Sequence, residues 1–495
     1  MYPDLNHITK LAQTGAYKRI PVCRELFADS FTPIEVMRTI RAASKHCYLL
    51  ESADDSRNWG RFSFLGYSPA LEITVNSGTV TIRTSDEEGT STEEVRHPSH
   101  PKEVFREIME QYKSPKIEGM PPFTGGLVGY FSYDYIRYAE PTLQLTAAED
   151  DTFRDADLML FDQVIAFDHY RQKLILITGV YTDDLEASYQ RAIEHLDEME
   201  RLLRSNAKAN FRPLRLKGEM TPHFSRERYY EMVEQTKHYI REGDIFQAVI
   251  SNPMEAEAEG SLFDTYRVLR TTNPSPYMFY FSSDDIEIAG ASPETLVSLK
   301  DGILHTFPLA GTRPRGKDAA EDQALSTELL QDEKELSEHN MLVDLGRNDI
   351  GKLSRLGTVE VEKYCQIQYY SHVMHIGSTV RGAIAPDKDA LDAVDSILPA
   401  GTLSGAPKLR ACEIIHELEQ RRRGIYGGAI GYLDFSGNLD VCIAIRLAYK
   451  KRGRICVQSG AGIVADSVPE KEFDECQNKA RAVINALKQA EGGLL

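Results

Sequence analysis

Between residues 427 and 466 the chain reads GGAIGYLDF, then SGN, then LDVCIAIRLAY, KKRG and RICVQSGAGIVAD. Short apolar runs separated by glycine-containing turns are the pattern of antiparallel strands joined by hairpins, so this region commits the C-terminal part of the chain to a meander. A second phrase of the same kind, GGLVGYFSYD at 125 to 134, resembles GGAIGYLDFS at 427 to 436. Glycine inside a strand marks a bulge or a close backbone approach, and two such strand entries are expected to pack together across sheets.

A chain of 495 residues allows roughly three domains, or two large ones. With 42% hydrophobic and 27% charged residues it has the composition of a globular protein. TDDLEASYQRAIEHLDEMERLLR, 182 to 204, opens on a capping residue and carries Leu and Met at helical spacing. The following stretch, 205 to 225, has two prolines and no sustained period, and is read as a linker between an N-terminal part, 1 to 204, and a C-terminal part, 226 to 495. TSDEEGTSTEEVRH, 84 to 97, reads as an acidic surface loop.

The formal net charge of -18 leaves no basic surplus to neutralise phosphates, which argues against a nucleic-acid binder. An anionic substrate would need local positive charge or a metal. Seven scattered cysteines without a CxxC pair fit reduced thiols better than disulfides or zinc. The first residues lack an apolar signal region and no run approaches the ~20 apolar residues of a membrane span. A soluble, cytoplasmic protein is expected.

Two helices carry the same acidic device. DEKELSEHNMLVDLGRND, 332 to 349, places Glu335 and Glu338 three apart, and the last helix, from Pro469, places Glu472 and Glu475 likewise. Residues at i and i+3 share a helix face. In the last helix Phe473, Cys476, Ala480 and Val483 form the buried stripe, with Glu472, Glu475 and Lys479 along its edge. Taken alone, Glu475 and Lys479 are an ordinary i, i+4 pair worth ~0.3 kcal/mol. If the two helices pack side by side, four carboxylates converge, and an all-oxygen site of this kind suits Mg²⁺.

Three further segments have local readings. GTLSGAPKLRACEIIHEL, from Gly401, is a loop entering a helix, with Pro407 in the first turn and helix-start N–H groups able to hold a carboxylate. SGAGIVAD only approximates a dinucleotide fingerprint, because Ile463 and Val464 continue the strand. Its Gly460 and Gly462 are places where backbone N–H groups approach a ligand carboxylate. HVMH sets His372 and His375 three apart, where packing is the commoner role of a histidine.

PLAGTRPRG, DEKELSEHNMLVDLGRND, HVMH, GTLSGAPK, RRRGIYGGAIGY and EKEFDECQNKARAV occur together and in order. In this they resemble the large subunits of anthranilate synthases, within the family of chorismate-using enzymes. LLES, GRFSFLG and GGLVGYFSYD extend the similarity to nearly the whole chain. The resemblance implies an α+β fold with large antiparallel sheets packed as a sandwich core and helices outside. It also implies a regulatory N-terminal part that contributes to that core and a chorismate-binding catalytic part after the linker.

By the same resemblance, Glu338 and Glu475 bind Mg²⁺, assisted through waters by Glu335 and Glu472, and the ion holds the ring carboxylate of chorismate beside Lys479. Arg446 and Tyr426 hold the enolpyruvyl carboxylate, with N–H groups near Gly460 and Gly462. Glu294 protonates the departing C4 hydroxyl as ammonia attacks C2, which requires a carboxyl kept protonated by burial. His375 matches the residue of the second step, in which pyruvate leaves and the ring becomes aromatic, and Thr312 matches a contact near the ring. Sister enzymes that make aminodeoxychorismate carry lysine where this chain has Ala310. Isochorismate-forming enzymes carry lysine where it has Gln247, and glutamine cannot activate water as a base. Ammonia is expected from a glutamine amidotransferase subunit, since no cysteine here has a glutaminase context. Glu51, Ser52, Pro276, Tyr277 and Met278 match a tryptophan feedback site. The implied activity is the lyase reaction that opens tryptophan biosynthesis. Its rivals are aminodeoxychorismate or aminodeoxyisochorismate formation and, in a different class, a tryptophan-binding regulator without catalysis.

Overall fold

In a computed structural model the chain forms two large antiparallel sheets with helices on their outer faces. The structure describes residues 1–52, 60–85, 91–143, 145, 153–205, 207–369 and 373–494. The first sheet has 13 strands and the second 12, and both draw strands from both ends of the chain. Cys47–Glu51 pairs with Tyr277–Ser282 in the first sheet, and Gly126–Phe131 pairs with Ala429–Asp434 in the second. Between the sheets lies one shared core. Tyr48, Phe64, Phe279 and Ile288 of the first sheet meet Val128, Tyr130, Met159, Ile430 and Cys442 of the second. Alternation sends these side chains inward, as in any face-to-face sandwich.

The two glycine-marked phrases are neighbours in one sheet, not partners across sheets. Gly129 lies opposite Gly431, and a Cβ at either would strike a strand carbonyl, 1.9 Å from Asp157 O or 2.2 Å from Asp440 O. Glycine here permits the close approach that the sequence pattern signalled. The meander departs from expectation at its centre. LDVCIAIRLAY is not one strand: Leu439–Ile443 lies in the second sheet and Leu447–Lys451 in the first. The chain changes sheets at residues 444 to 446, where Arg446 has φ +53°. A parallel change occurs upstream, from Ile286–Ser292 in the first sheet to Thr295–Lys300 in the second, with Glu294 in the crossing. Backbone hydrogen bonds join the crossings: Ile443 N to Glu294 O at 3.0 Å and Ala291 N to Arg446 O at 3.0 Å.

Other expectations are met or revised locally. The helix Leu185–Arg204 is capped by Asp184 and buries Leu196, Met199 and Leu203. Of residues 84 to 97, 84 and 85 end the strand Thr79–Ser85, which pairs with Ser91–Arg96 at the edge of the second sheet, while 86 to 90 lie outside the described residues. Glu93 and Glu94 on the edge strand are exposed, as edge strands favour. Along 205 to 225, Arg215–Leu216 and Thr221–Pro222 add short strands to Gln247–Glu259, so this stretch runs along the first sheet. Pro407 immediately precedes the helix Lys408–Glu419, and the strand Arg454–Ile463 runs through the glycines.

Gly431→Ala should lower stability by roughly 1–3 kcal/mol, the range for forcing atoms into filled space. Urea unfolding followed by circular dichroism checks this, and an unchanged midpoint would contradict the tight pairing.

Candidate active site

The two ExxE helices come from different sheets. Glu333–Gly351 lies on Leu309–Pro314 and Val373–Ala383 of the second sheet. Pro469–Ala490 lies on Arg454–Ile463 of the first and on the helices Arg226–Glu242 and Phe263–Thr272. They do not meet by side-by-side packing, as the sequence reading required. Instead they face each other electrostatically. The protein around Glu338 desolvates its carboxyl and raises its pKa, Glu335 and Glu475 add to the rise, and Lys334 and Lys479 oppose it. Glu472 is raised by burial and by Glu475, against a hydrogen bond from Ser467 and the charges of Lys479 and Lys334.

Cations already attend this acidic rim. Lys479 pairs with Glu475 at 2.7 Å and donates to Gly460 O at 3.1 Å, so the ordinary i, i+4 pair exists and also ties the helix to the strand. Arg313 reaches Glu335 at 3.4 Å and Asp332 at 3.0 Å. Arg313 escaped the sequence reading, although it stands beside Thr312 in AGTRP. The oxygen-only donors, two of them pushed toward protonation by desolvation and by neighbouring carboxylates, fit a hard divalent cation such as Mg²⁺. Among the described residues, one set of three possible donors comes within 4.8 Å, and it is elsewhere: His46, Glu72 and Asp284. Arg154 sits on Glu72 at 2.9 Å and Arg83 lies 3.7 Å from it, so guanidinium charge already balances that set.

The crossings carry Glu294 and Arg446. Glu294 accepts a hydrogen bond from Thr402 at 3.1 Å, and burial lifts its pKa to about 7 against the opposing effects of Thr402 and Lys479. Thr402 was also missed, though it lies in GTLSGAPK, one of the quoted motifs. Arg446 donates to Lys479 O, and burial lowers its pKa, opposed by the charges of Tyr426 and Glu475. Tyr426 is buried, its hydroxyl 3.0 Å from where a Cβ on Gly460 would lie. Gln247 places its amide 2.7 Å from a Cβ position on Gly462, across the pairing of Gln247–Glu259 with Arg454–Ile463.

His375 lies on the strand Val373–Ala383. Strand pairing is irregular between Ala310 and Arg313, and this irregularity turns Gly311 O and Thr312 Oγ1 toward His375 Nδ1, at 2.9 and 3.1 Å. A carbonyl only accepts, so Nδ1 carries the proton and Nε2 is the basic nitrogen. Burial and the charge of Arg446 lower the His375 pKa, while the Gly311 hydrogen bond opposes them. His372 lies outside the described residues.

A buried ion pair supports this arrangement from behind. Arg423 binds Glu419 through both carboxylate oxygens, at 2.9 and 2.6 Å, and donates to Leu403 O at 2.7 Å and Val249 O at 2.6 Å. Its guanidinium lies over the rings of Tyr133 and Tyr426.

Residues 45–485 match the family model of the chorismate binding enzymes. The chain belongs to that family. Anthranilate synthase component 1 of Acetivibrio thermocellus is 44% identical, with 99% of each chain covered. That of Acinetobacter calcoaceticus is 44% identical, with 98% of each covered. The crystal structure of anthranilate synthase component I from Streptococcus pneumoniae aligns at a TM-score of 0.73 with 38% identity, over 86% of this chain and 92% of that one. The menaquinone-specific isochorismate synthase of Escherichia coli shares the fold at a TM-score of 0.67 and 18% identity, over 98% of both chains. Among the described residues of this chorismate-binding enzyme, no helix is long and apolar enough to cross a membrane.

The residues matched to a tryptophan feedback site lie on or beside two paired strands, with Met278 opposite Glu51. Glu51 is buried and engaged by Arg270 at 2.7 and 3.0 Å, Tyr266 at 2.5 Å and Ser63 at 3.0 Å. Tyr277 donates to Asp440 at 2.8 Å, and Ser52 and Pro276 stand at the ends of the two strands.

With its carboxyl protonated below about pH 7, Glu294 should give a pH–rate limb that falls as pH rises through that value. Glu294→Gln should remove the limb and lower kcat by about 10²–10⁴-fold. The sign for stability follows from the raised pKa: this carboxyl favours folding most below its unfolded pKa and loses that contribution as pH rises through about 7. The variant should therefore gain on wild type in thermal unfolding at pH 8 relative to pH 5.

Proposed function

We propose that this chorismate-binding enzyme is the large component of an anthranilate synthase. Ammonia adds at C2 of chorismate as the C4 hydroxyl leaves as water, and pyruvate is then eliminated to give anthranilate. The observation that carries the reading is Glu294, a carboxyl held near neutrality in pKa at a sheet crossing, hydrogen-bonded by Thr402 and under the charge of Lys479 of the C-terminal acidic helix. Such a carboxyl can donate a proton to a leaving hydroxyl at neutral pH, which an exposed glutamate cannot.

Arg446 and Tyr426 suit a substrate carboxylate, because a half-buried guanidinium whose pKa is depressed by desolvation gains most from an anion. Lys479 stands between Glu475 and Glu294 and suits the second carboxylate. Glu338 and Glu475, with Glu335 and Glu472 behind them, would hold Mg²⁺, which supplies positive charge against the ring carboxylate. Basic Nε2 of His375, fixed by Gly311 and Thr312, suits proton removal in the aromatising step. Ala310 and Gln247 favour anthranilate over the aminodeoxychorismate and isochorismate alternatives, since neither side chain can serve as the base or nucleophile that lysine provides.

Ammonia would come from a second component, a glutamine amidotransferase. Six of the seven cysteines are buried, and burial lifts Cys23 to about 11 and Cys47 and Cys456 to about 12, which suits packing and not thiolate chemistry. L-tryptophan would bind at Glu51, Ser52, Pro276, Tyr277 and Met278, its amino group competing for a carboxylate now held by Arg270.

With ammonium salts, chorismate and Mg²⁺ the isolated chain should generate anthranilate fluorescence, and EDTA should abolish it. Glu475→Ala should require far more Mg²⁺ for half-maximal activity. A variant with unaltered Mg²⁺ dependence would remove Glu475 from the metal site, and accumulation of an aminodeoxy product without pyruvate would favour the rival chemistry. Glu51→Gln should relieve inhibition by tryptophan, read as a higher concentration for half inhibition in the same assay.

A further inference from the structure

The helix Glu333–Gly351 carries Glu335 and Glu338 near its start, and its far end is fastened by a contact the mechanism does not use. Lys408 Nζ donates to Asp349 Oδ2 and to Ile397 O, each at 3.0 Å. The two side chains are only 12% and 6% exposed. The same helix presses on the turn Gly401–Leu403 beside this pair, because a Cβ on Gly401 would lie 1.7 Å from Leu345 Cδ2. That turn carries Thr402, the hydrogen-bond donor to Glu294. From its other side the turn is held by Arg423 on Leu403 O and by Ser404 Oγ donating to Ala400 O at 2.8 Å.

One rigid element therefore touches the acidic rim with its first turns and the surroundings of Glu294 with its last. A buried ion pair is a poor source of stability compared with well-packed apolar groups, and its fixed geometry is what such a pair contributes where it is retained. We infer that Lys408 is a positioning residue. Through Asp349 and Ile397 O it locks the 401–403 turn to the helix Glu333–Gly351, so that Thr402 is held on Glu294 at a set distance from the Glu335 and Glu338 carboxylates. This rests on the assignment of Glu294 as the acid. The groups facing Glu294 are Thr402 from the turn and Lys479 from the C-terminal helix, and the lock acts on the first of them.

The test compares full-length wild type with Lys408→Met, Lys408→Arg and Asp349→Asn. The Glu294 carboxyl is titrated by ¹³C NMR in glutamate-labelled protein, its signal assigned by its absence in Glu294→Gln. Kinetics with ammonia and chorismate are followed across pH. Losing the Thr402 hydrogen bond removes an effect that lowers the Glu294 pKa, so Lys408→Met and Asp349→Asn should move its titration midpoint and the corresponding kinetic limb to higher pH. They should lower kcat by about 10- to 100-fold, the scale of a displaced reacting group, with little change in KM for chorismate. Lys408→Arg should restore part of the loss. Asp349→Asn, nearly isosteric, serves if Lys408→Met does not fold. Folded variants with an unmoved Glu294 titration and unchanged kcat would overturn the inference. If wild type made no anthranilate while the titration still moved, the proposed reaction would fail and the positioning role would stand.

Discussion

The end of this fold that carries the candidate site depends on two chain crossings held edge to edge. At residues 292 to 295 and 443 to 447 the backbone leaves one sheet for the other, and Ile443 N to Glu294 O and Ala291 N to Arg446 O join the crossings at 3.0 Å. Ser292 Oγ adds a donor to Ile443 O at 2.7 Å. Buried backbone groups that leave a ladder need partners, and here each crossing supplies them to the other. Glu294 and Arg446 thus stand on neighbouring backbone segments, with the Glu294 carboxyl on Thr402 and the Arg446 guanidinium on Lys479 O.

Electrostatics follow from that placement. A chain of net charge -18 assembles Arg313, Arg446 and Lys479 around four glutamates, and its field at this end is set by local pairs and not by the total. Desolvation raises the Glu338 and Glu472 carboxyls, and the neighbouring glutamates add to the rise, so a bound cation would offset both effects. Glu294 shares that cause, but among the described residues no carboxylate adds to the rise: its pKa goes to about 7 from burial alone, against Thr402 and Lys479.

Rigid support comes from buried charge behind the site. Arg423 joins the strand Gln247–Glu259, the helix Lys408–Glu419 and the 401–403 turn through Val249 O, Glu419 and Leu403 O. Ser251 completes the set by donating from both its N–H and its hydroxyl to Glu419, at 2.8 and 2.9 Å. Removing one partner of such a pair leaves an uncompensated charge, which costs several times more than the pair contributes to stability. The RRRGIYGG phrase therefore serves mainly to hold Tyr426 and the glycine-marked strand in place.

By itself the sequence determined what local chemistry encodes. Glycine-punctuated apolar runs specified antiparallel strands, the Phe473 to Val483 stripe fixed which face of the last helix is buried, and the repeated ExxE spacing put a pair of acids on one face of each of two helices. Motif order added the family. Tertiary structure alone decided that LDVCIAIRLAY breaks between two sheets, because a continuous apolar run looks the same whether its strand stays in one sheet or crosses to another. It also decided that the ExxE helices face each other from separate sheets, that Arg313 and Thr402 attend Glu335 and Glu294, and that Lys408 reaches Asp349. These are contacts between residues far apart in the chain, and periodicity and spacing report only neighbours along one element.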